Sequence, residues 1–112
     1  MPELDQVLQR SGSTPVERGY TVANLRNAAS QYEDDFLRNR RQPAALAALR
    51  FYAAAVGLVP PSDTRAPFDL LHSARLYCGI GCPAKAQGIV RDLRSNYSVT
   101  EQSISVALAA CR

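Results

Sequence analysis

The chain has 112 residues, a formal net charge of +3, 46% hydrophobic and 21% charged residues, and three cysteines. This length allows one domain and one core, and no apolar stretch is long enough to span a membrane. The small positive charge argues against a protein that depends on phosphate contacts, so direct nucleic-acid binding is not expected. With an acidic start and no signal-peptide pattern, we expect a cytoplasmic protein with three free thiols.

The first segment of the chain shows weak periodicity. Residues 11–15 read Ser-Gly-Ser-Thr-Pro, a composition typical of a flexible joint. We therefore predict a flexible N-terminal arm over residues 1–19, followed by a single all-helical domain over residues 20–112.

The first firm helix is predicted from Thr21, a suitable N-cap, to Arg40. Its apolar residues recur every three or four positions and form one stripe along the helix: Val22, Leu25, Ala29, Tyr32 and Phe36. We assign the first three of them to the core. Tyr32 and Phe36 are large residues near the end of the stripe and are predicted to contact a partner protein. The acidic run at residues 33–35 is interpreted as a solvated face.

A second helix is predicted to start at Pro43 and to run over residues 44–56, with Gly57 as a left-handed cap. Its apolar residues lie on more than one face, so this helix is either central or in contact with another protein. Leu49, Phe51 and Tyr52 are the anchors that we assign to such a contact.

Three further helices are predicted, over residues 67–78, 83–95 and from 99 nearly to the end. Asn96 is expected to end the fourth helix in a left-handed conformation, and Ser98 with Glu101 to form the capping box of the last one. No segment alternates as a strand would. The predicted fold is all-α, a compact bundle of four to five short helices, and its low aromatic content favours a homodimer.

The cysteines allow three interpretations. Cys78 and Cys82, with His72 and Cys111, would supply four zinc ligands, but their spacing is unlike that of structural zinc sites. We interpret Cys78 and Cys82 as small core residues at a tight corner where Gly79 and Gly81 take positive φ. A redox-labile Cys78–Cys82 pair stays open as an alternative.

Chemistry elsewhere in the sequence is sparse. His72 is the only histidine, and Asp69, three residues earlier, is interpreted as its partner on an exposed face. The sequence contains neither a Gly-x-Ser-x-Gly elbow nor a phosphate-binding glycine loop. We therefore predict no catalytic residues, no metal site and no cofactor, and we expect that the protein is not an enzyme.

Residues 87–112 have the outline of a helix-turn-helix, which makes a small DNA-binding regulator the alternative function. In that arrangement the second helix would present base-reading side chains from its first half. It offers Glu101, Gln102, Ser103 and Ser105, with no arginine or lysine before Arg112.

The stretch Tyr-Ala-Ala-Ala-Val-Gly at residues 52–57, followed by Pro60-Pro61, resembles the small all-helical antiactivators of bacterial quorum sensing. The size of the chain and its Arg- and Ala-rich composition add to this resemblance. It implies a homodimer that binds a LuxR-type transcription factor and blocks that factor's dimerisation and DNA binding. The function that we expect is thus a non-enzymatic regulatory protein that binds another protein through apolar helix faces.

Overall fold

The computed structural model describes residues 21–111, so the predicted N-terminal arm lies outside the described residues. This range folds into five α-helices and one short 3-10 helix and contains no strand. The helices are α1 (Val22–Asn39), α2 (Gln42–Gly57), α3 (Ala66–Gly79), α4 (Pro83–Asn96), α5 (Glu101–Leu108) and the 3-10 helix Ala109–Cys111. The prediction of an all-α fold is confirmed. No helix of the described range is long and apolar enough to cross a membrane.

Helix α1 begins and ends with local signals. The Thr21 hydroxyl accepts a hydrogen bond from the Asn24 backbone N–H at 3.1 Å, and the Thr21 backbone N–H donates to Asn24 Oδ1 at 3.5 Å. This is a capping box in which asparagine replaces the usual acid. The helix ends at Arg40, whose φ of 54° is left-handed. The stripe residues Leu25 and Ala29 are fully buried, as the periodicity predicts.

Helix α2 packs against α1, and half of its 16 residues are buried. Pro43 stands in its first turn, where a missing N–H costs no hydrogen bond. Its buried residues, which lie on several faces, are Ala44, Ala45, Leu46, Ala48, Leu49, Phe51, Tyr52 and Ala55. Gly57 was predicted to be a left-handed cap, which is wrong, because Gly57 is the last helical residue and Leu58 follows at φ −97°.

Helix α3 joins two hydrophobic clusters, since it contacts α2, α4, α5 and the 3-10 helix. The first cluster lies between α1 and α2 and takes Leu76 from α3. The second cluster contains Leu71, Ala74 and Cys78 of α3, together with residues of α4 and α5. The half-buried Tyr77 packs against both clusters.

Helix α5 starts two residues later than predicted. Its N-cap is Thr100, whose hydroxyl accepts from the Ser103 backbone N–H at 3.1 Å. The expected capping box of Ser98 and Glu101 is wrong, because Glu101 is held by Arg94 through two hydrogen bonds of 3.0 and 2.7 Å. Asn96 also differs from its prediction, since it is still helical and α4 ends in the extended residue Tyr97.

The expectation of three free thiols is wrong. Cys78 at the end of α3 is disulfide-bonded to Cys111 in the 3-10 helix, with their Cα atoms 4.6 Å apart. Cys82 is free and half-buried. The bonded pair is separated by 33 residues, so the fold brings it together and no local spacing reveals it. In the turn between α3 and α4, Gly81 has a positive φ of 81° as predicted, whereas Gly79 does not.

Candidate functional site

Two large apolar side chains stand out by their exposure. Phe68 of α3 is 59% exposed and Val106 of α5 is 65% exposed, more than any other large hydrophobic residue between 21 and 111. They lie on the two walls of one groove, which has a volume of about 320 Å³. The residues that line it come from α3 and α5 alone: Phe68, Leu71, His72, Arg75, Gln102, Ser103, Val106 and Ala107.

The helical repeat explains how these residues meet. Positions 68, 71, 72 and 75 follow the i, i+3, i+4, i+7 pattern and therefore share one face of α3. On α5, positions 102 and 106 are four apart, as are 103 and 107, so the two pairs lie on adjoining strips of that helix. Leu71 and Ala107 are buried at the base, whereas Phe68 and Val106 reach the surface. The groove is thus mostly apolar, and its polar lining residues are His72, Arg75, Gln102 and Ser103.

The polar side of the groove rests on a buried acid from α1. Glu33 is only 4% exposed, so the interpretation of residues 33–35 as a solvated face is wrong for this acid. Arg75 Nη2 donates to Glu33 Oε2 at 2.7 Å, and His72 Nδ1 lies 3.0 Å from Glu33 Oε1. The Tyr52 hydroxyl donates to the same Oε1 at 2.7 Å. The carboxylate therefore joins α1, α2 and α3 behind the groove.

The charge of Glu33 is fixed by these contacts. Burial alone would raise the pKa of the carboxyl, but the hydrogen bonds from His72, Arg75 and Tyr52 outweigh it and lower the pKa to about 2. Burial, with the nearby negative charge, also raises the pKa of Tyr52 far above its ordinary value. The His72 ring stacks on the Tyr52 ring with centroids 5.4 Å apart. The cluster holds His72 and Arg75 in place at the groove wall.

A second ion network positions the start of α3. Arg26 Nε donates to Asp69 at 2.8 Å and Arg26 Nη2 donates to Asp63 at 3.1 Å. Asp63 also accepts the backbone N–H groups of Arg65 and Ala66, the residues that open the helix. Asp69 is buried, and burial raises its pKa against the opposing effect of Arg26. The prediction that Asp69 pairs with His72 on an exposed face is therefore wrong.

The five predicted interface residues have different surroundings. Tyr32 is 42% exposed and stacks on Phe51, with ring centroids 5.7 Å apart. Phe36, Leu49, Phe51 and Tyr52 are each less than a tenth exposed and belong to the cluster between α1 and α2. Packing within the chain therefore accounts for these four without a partner. Of the five, Tyr32 is the residue whose side chain a partner would reach in this conformation.

Sequence reasoning missed the groove because spacing along one helix does not show which of its apolar residues stay exposed. Phe68 has helical spacing with Leu71, which predicts that both residues lie on one buried side of the helix. The structure turns Phe68 outward, since Ala66, Leu71 and Ala74 already fill the interior at this end of α3. Val106 follows Ile104 by two residues, a separation that places it on a different side of a helix. That offset was the available signal for Val106.

The cysteines and His72 do not form a metal site. No group of three or more His, Cys, Asp and Glu side chains within residues 21–111 is arranged to hold a metal ion. His72 instead faces Glu33, and Cys78 is bonded to Cys111. The Cys78–Cys82 pair, which the sequence left open as an alternative, is not the bonded one.

The helix-turn-helix outline corresponds to α4 and α5. Arg94 of α4 and Glu101 of α5 form an ion pair across the connection between them. Gln102 and Ser103, two of the predicted base-reading residues, line the groove. Comparison of the chain with protein-family models, curated proteins and solved structures gave no match. The groove is therefore the feature from which a function can be inferred.

Proposed function

We propose that this chain is a non-enzymatic regulatory protein that binds another protein in the groove between α3 and α5. One observation carries the proposal: the two most exposed large apolar side chains of the described residues face the same groove from opposite walls. Exposed apolar side chains scattered singly need no explanation, but a pair at one concave site is typical of binding surfaces.

The chemistry of the groove favours an amphipathic helix as its occupant. Positions 68 to 75 span two turns of α3, about 10 Å along its axis, which suits a short helix that inserts one or two apolar side chains. Arg75 is 38% exposed, although its Nη2 donates to Glu33. The exposed part of the guanidinium favours a carboxylate on the incoming helix. The proposed partner surface is therefore apolar with an acidic residue at one end.

We propose that the partner protein is a LuxR-type transcription factor. The resemblance to the small quorum-sensing antiactivators supports this choice, and an apolar groove is the kind of surface that sequestration of another protein needs. Binding there would block the dimerisation and the DNA binding of the factor. Such a role places the chain in the cytoplasm, where the factor acts.

The test uses a purified LuxR-type regulator and its operator DNA, with binding followed by fluorescence anisotropy. The wild-type chain should release the regulator from DNA, and Phe68→Asp should lose at least about 90% of that effect, because a buried interfacial carboxylate has no partner there. Leu37→Asp is the matched control, since Leu37 is 45% exposed on α1 away from the groove. The proposal fails if Phe68→Asp and the wild type are equally active. Direct DNA binding by the chain alone, weakened by salt, would favour the helix-turn-helix alternative.

We further propose that the chain is a homodimer, with Tyr32 at the contact between protomers. Tyr32 lies beside a second concave surface formed with Asp35, Arg41, Pro43 and Ala44. Because this surface is built by α1 and the start of α2, it is separate from the α3–α5 groove. Light scattering of Tyr32→Asp should then give a monomer that stays folded, whereas an unchanged mass would remove Tyr32 from the contact.

A further inference from the structure

We infer that Cys78, Cys82 and Cys111 form a thiol–disulfide exchange site in which Cys82 displaces Cys111 from Cys78 and detaches the end of α5 from α3. The exchange needs only residues of this chain. Its effect on partner binding rests on the proposed function, whereas the exchange itself does not.

The turn after α3 brings the backbone of Cys82 back to the end of that helix. The Cys82 backbone N–H donates to the Tyr77 carbonyl at 2.8 Å, and the Gly81 N–H donates to the Cys78 carbonyl at 3.1 Å. The chain therefore folds back so that Cys82 lies beside the residue that precedes Cys78. Gly81, at φ 81°, provides the left-handed step that this reversal requires. The free cysteine and the bonded cysteine are thus held at the same corner.

The surroundings of Cys82 favour its reactive form. Cys82 is half-buried rather than enclosed, and it is the N-cap of α4, a helix of 14 residues. The partial positive charge at a helix N-terminus stabilises a thiolate, which is the species that attacks a disulfide. Cys78 is only 6% exposed, so a thiol dissolved in the solvent has poor access to it. The neighbouring Cys82 is the thiol best placed to reach that sulfur.

The exchange is balanced without an oxidant. The deprotonated Sγ of Cys82 attacks Sγ of Cys78, and a new bond forms between them while the Cys78–Cys111 bond breaks. Cys111 leaves as a thiolate and takes up a proton, so the number of disulfides and thiols is unchanged. Disulfides of cytosolic proteins are most often transient or redox-sensing, which agrees with the compartment that we propose.

The release of Cys111 affects the wall of the groove that α5 forms. Helix α5 has eight residues, too few to persist alone in water, and among its residues Ile104 and Ala107 are the buried ones. The bond from Cys111 ties the 3-10 helix that continues α5 to the end of α3. When Cys111 is released, the wall that carries Val106 loses this tether. The exchange would therefore switch the groove from a formed to a loosened state.

Disulfide mapping of the full chain tests the exchange. Trypsin leaves Cys78 and Cys82 together in the peptide 76–85 and Cys111 in the peptide 95–112. A Cys78–Cys82 bond makes the first peptide lighter by two hydrogen atoms, whereas a bond to Cys111 links the two peptides, and fragmentation identifies the bonded cysteine. After equilibration in a glutathione redox buffer and acid quenching, the wild type should contain both species. Cys111→Ser should form the Cys78–Cys82 bond with oxidised glutathione, and Cys82→Ser should retain only the Cys78–Cys111 bond.

Hydrogen exchange supplies the structural readout. In Cys111→Ser, the amides of residues 104–108 should exchange at least about tenfold faster than in oxidised Cys82→Ser, while α1 and α2 stay unchanged. The inference is overturned if Cys111→Ser keeps two thiols in oxidised glutathione, or if the wild type never contains a Cys78–Cys82 bond. Oxidised Cys82→Ser keeps the groove tethered, so a failure of that variant to bind the regulator contradicts the proposed function and leaves the exchange result standing.

Discussion

Glu33 shows how a single residue can reverse the meaning of a sequence pattern. Three consecutive acids on a helix normally face water, because successive side chains fan around its axis. Here the same angular spread points one acid, Glu33, into the interior, where Arg75 and Tyr52 donate to it at 2.7 Å each. Its partners lie 19 and 42 residues away, so local spacing contains no signal of the pairing. The environment of Glu33 therefore required the structure.

Replacing Glu33 by Gln tests this cluster. The amide keeps the shape but removes the charge that Arg75 faces, so the free energy of unfolding should fall by about 3 kcal/mol. Urea denaturation followed by circular dichroism measures this change. Tyr52→Phe removes one of the donors and is the control, with an expected loss of about 1 kcal/mol. Equal stability of Glu33→Gln and the wild type would contradict the role assigned to the carboxylate.

The same cluster predicts a pH dependence. Because the pKa of Glu33 is lowered to about 2 from an ordinary value of 4.5, its contribution is fully present above pH 4.5 and is lost as the pH falls toward 2. The stability difference between the wild type and Glu33→Gln should therefore shrink across that window. A difference that stays constant from pH 6 to about pH 2 would show that the charge is not responsible.

Gly79 is a second residue whose identity is set by contact. A Cβ added to it would lie 2.9 Å from Cε2 and 3.3 Å from Cζ of the Phe36 ring. Phe36 is buried and has little room to move, so Gly79→Ala should destabilise the fold by about 1–2 kcal/mol. In Gly88→Ala the nearest atom is 3.9 Å away, inside α4, and a gain of about 0.5–1 kcal/mol is expected. Thermal unfolding of both variants distinguishes the effect of the Phe36 contact from that of helix propensity. A Gly79→Ala variant that is more stable than the wild type would contradict the role assigned to that contact.

At the scale of elements, helix starts were predictable where a local signal acts alone. Thr21 with Asn24, and the prolines at 43, 67 and 83, mark the first turns that the structure shows. The start of α5 was misjudged because Ser98 and Thr100 both suit an N-cap and both precede the same apolar residues. Arg94 favours Thr100, because its two hydrogen bonds to Glu101 keep that side chain out of the capping box that Ser98 would need.

The start of α5 can be tested with a pair of substitutions. Thr100→Ala removes the side-chain oxygen that accepts from the Ser103 N–H, so it should cost about 1 kcal/mol and speed amide exchange in α5. Ser98→Ala should leave both quantities unchanged, because no cap involves Ser98. Hydrogen exchange with mass spectrometry measures both variants. The reverse ranking would place the N-cap at Ser98.

At the scale of the whole molecule, the pattern of apolar stripes predicts the fold class but not the surface. The spacing assigns Val22, Leu25 and Ala29 to the core, and the structure agrees for Leu25 and Ala29. Phe36, which was predicted to contact a partner, is buried as well. Which apolar residues stay outside depends on how α3 is shared among α2, α4 and α5. That competition is settled by packing of the assembled helices and not by spacing within one of them. Phe68 therefore emerged as a surface residue only in the structure.

The central claim is that a partner protein occupies the α3–α5 groove. The most direct measurement places a photoreactive amino acid at Val106 or at Leu37, followed by irradiation in the source cell and mass spectrometry. Both positions are exposed and apolar, and only Val106 lines the groove. If a partner occupies the groove, a transcription factor should be cross-linked at position 106 and not at position 37. Cross-linking of that factor at position 37 and none at position 106 would contradict it.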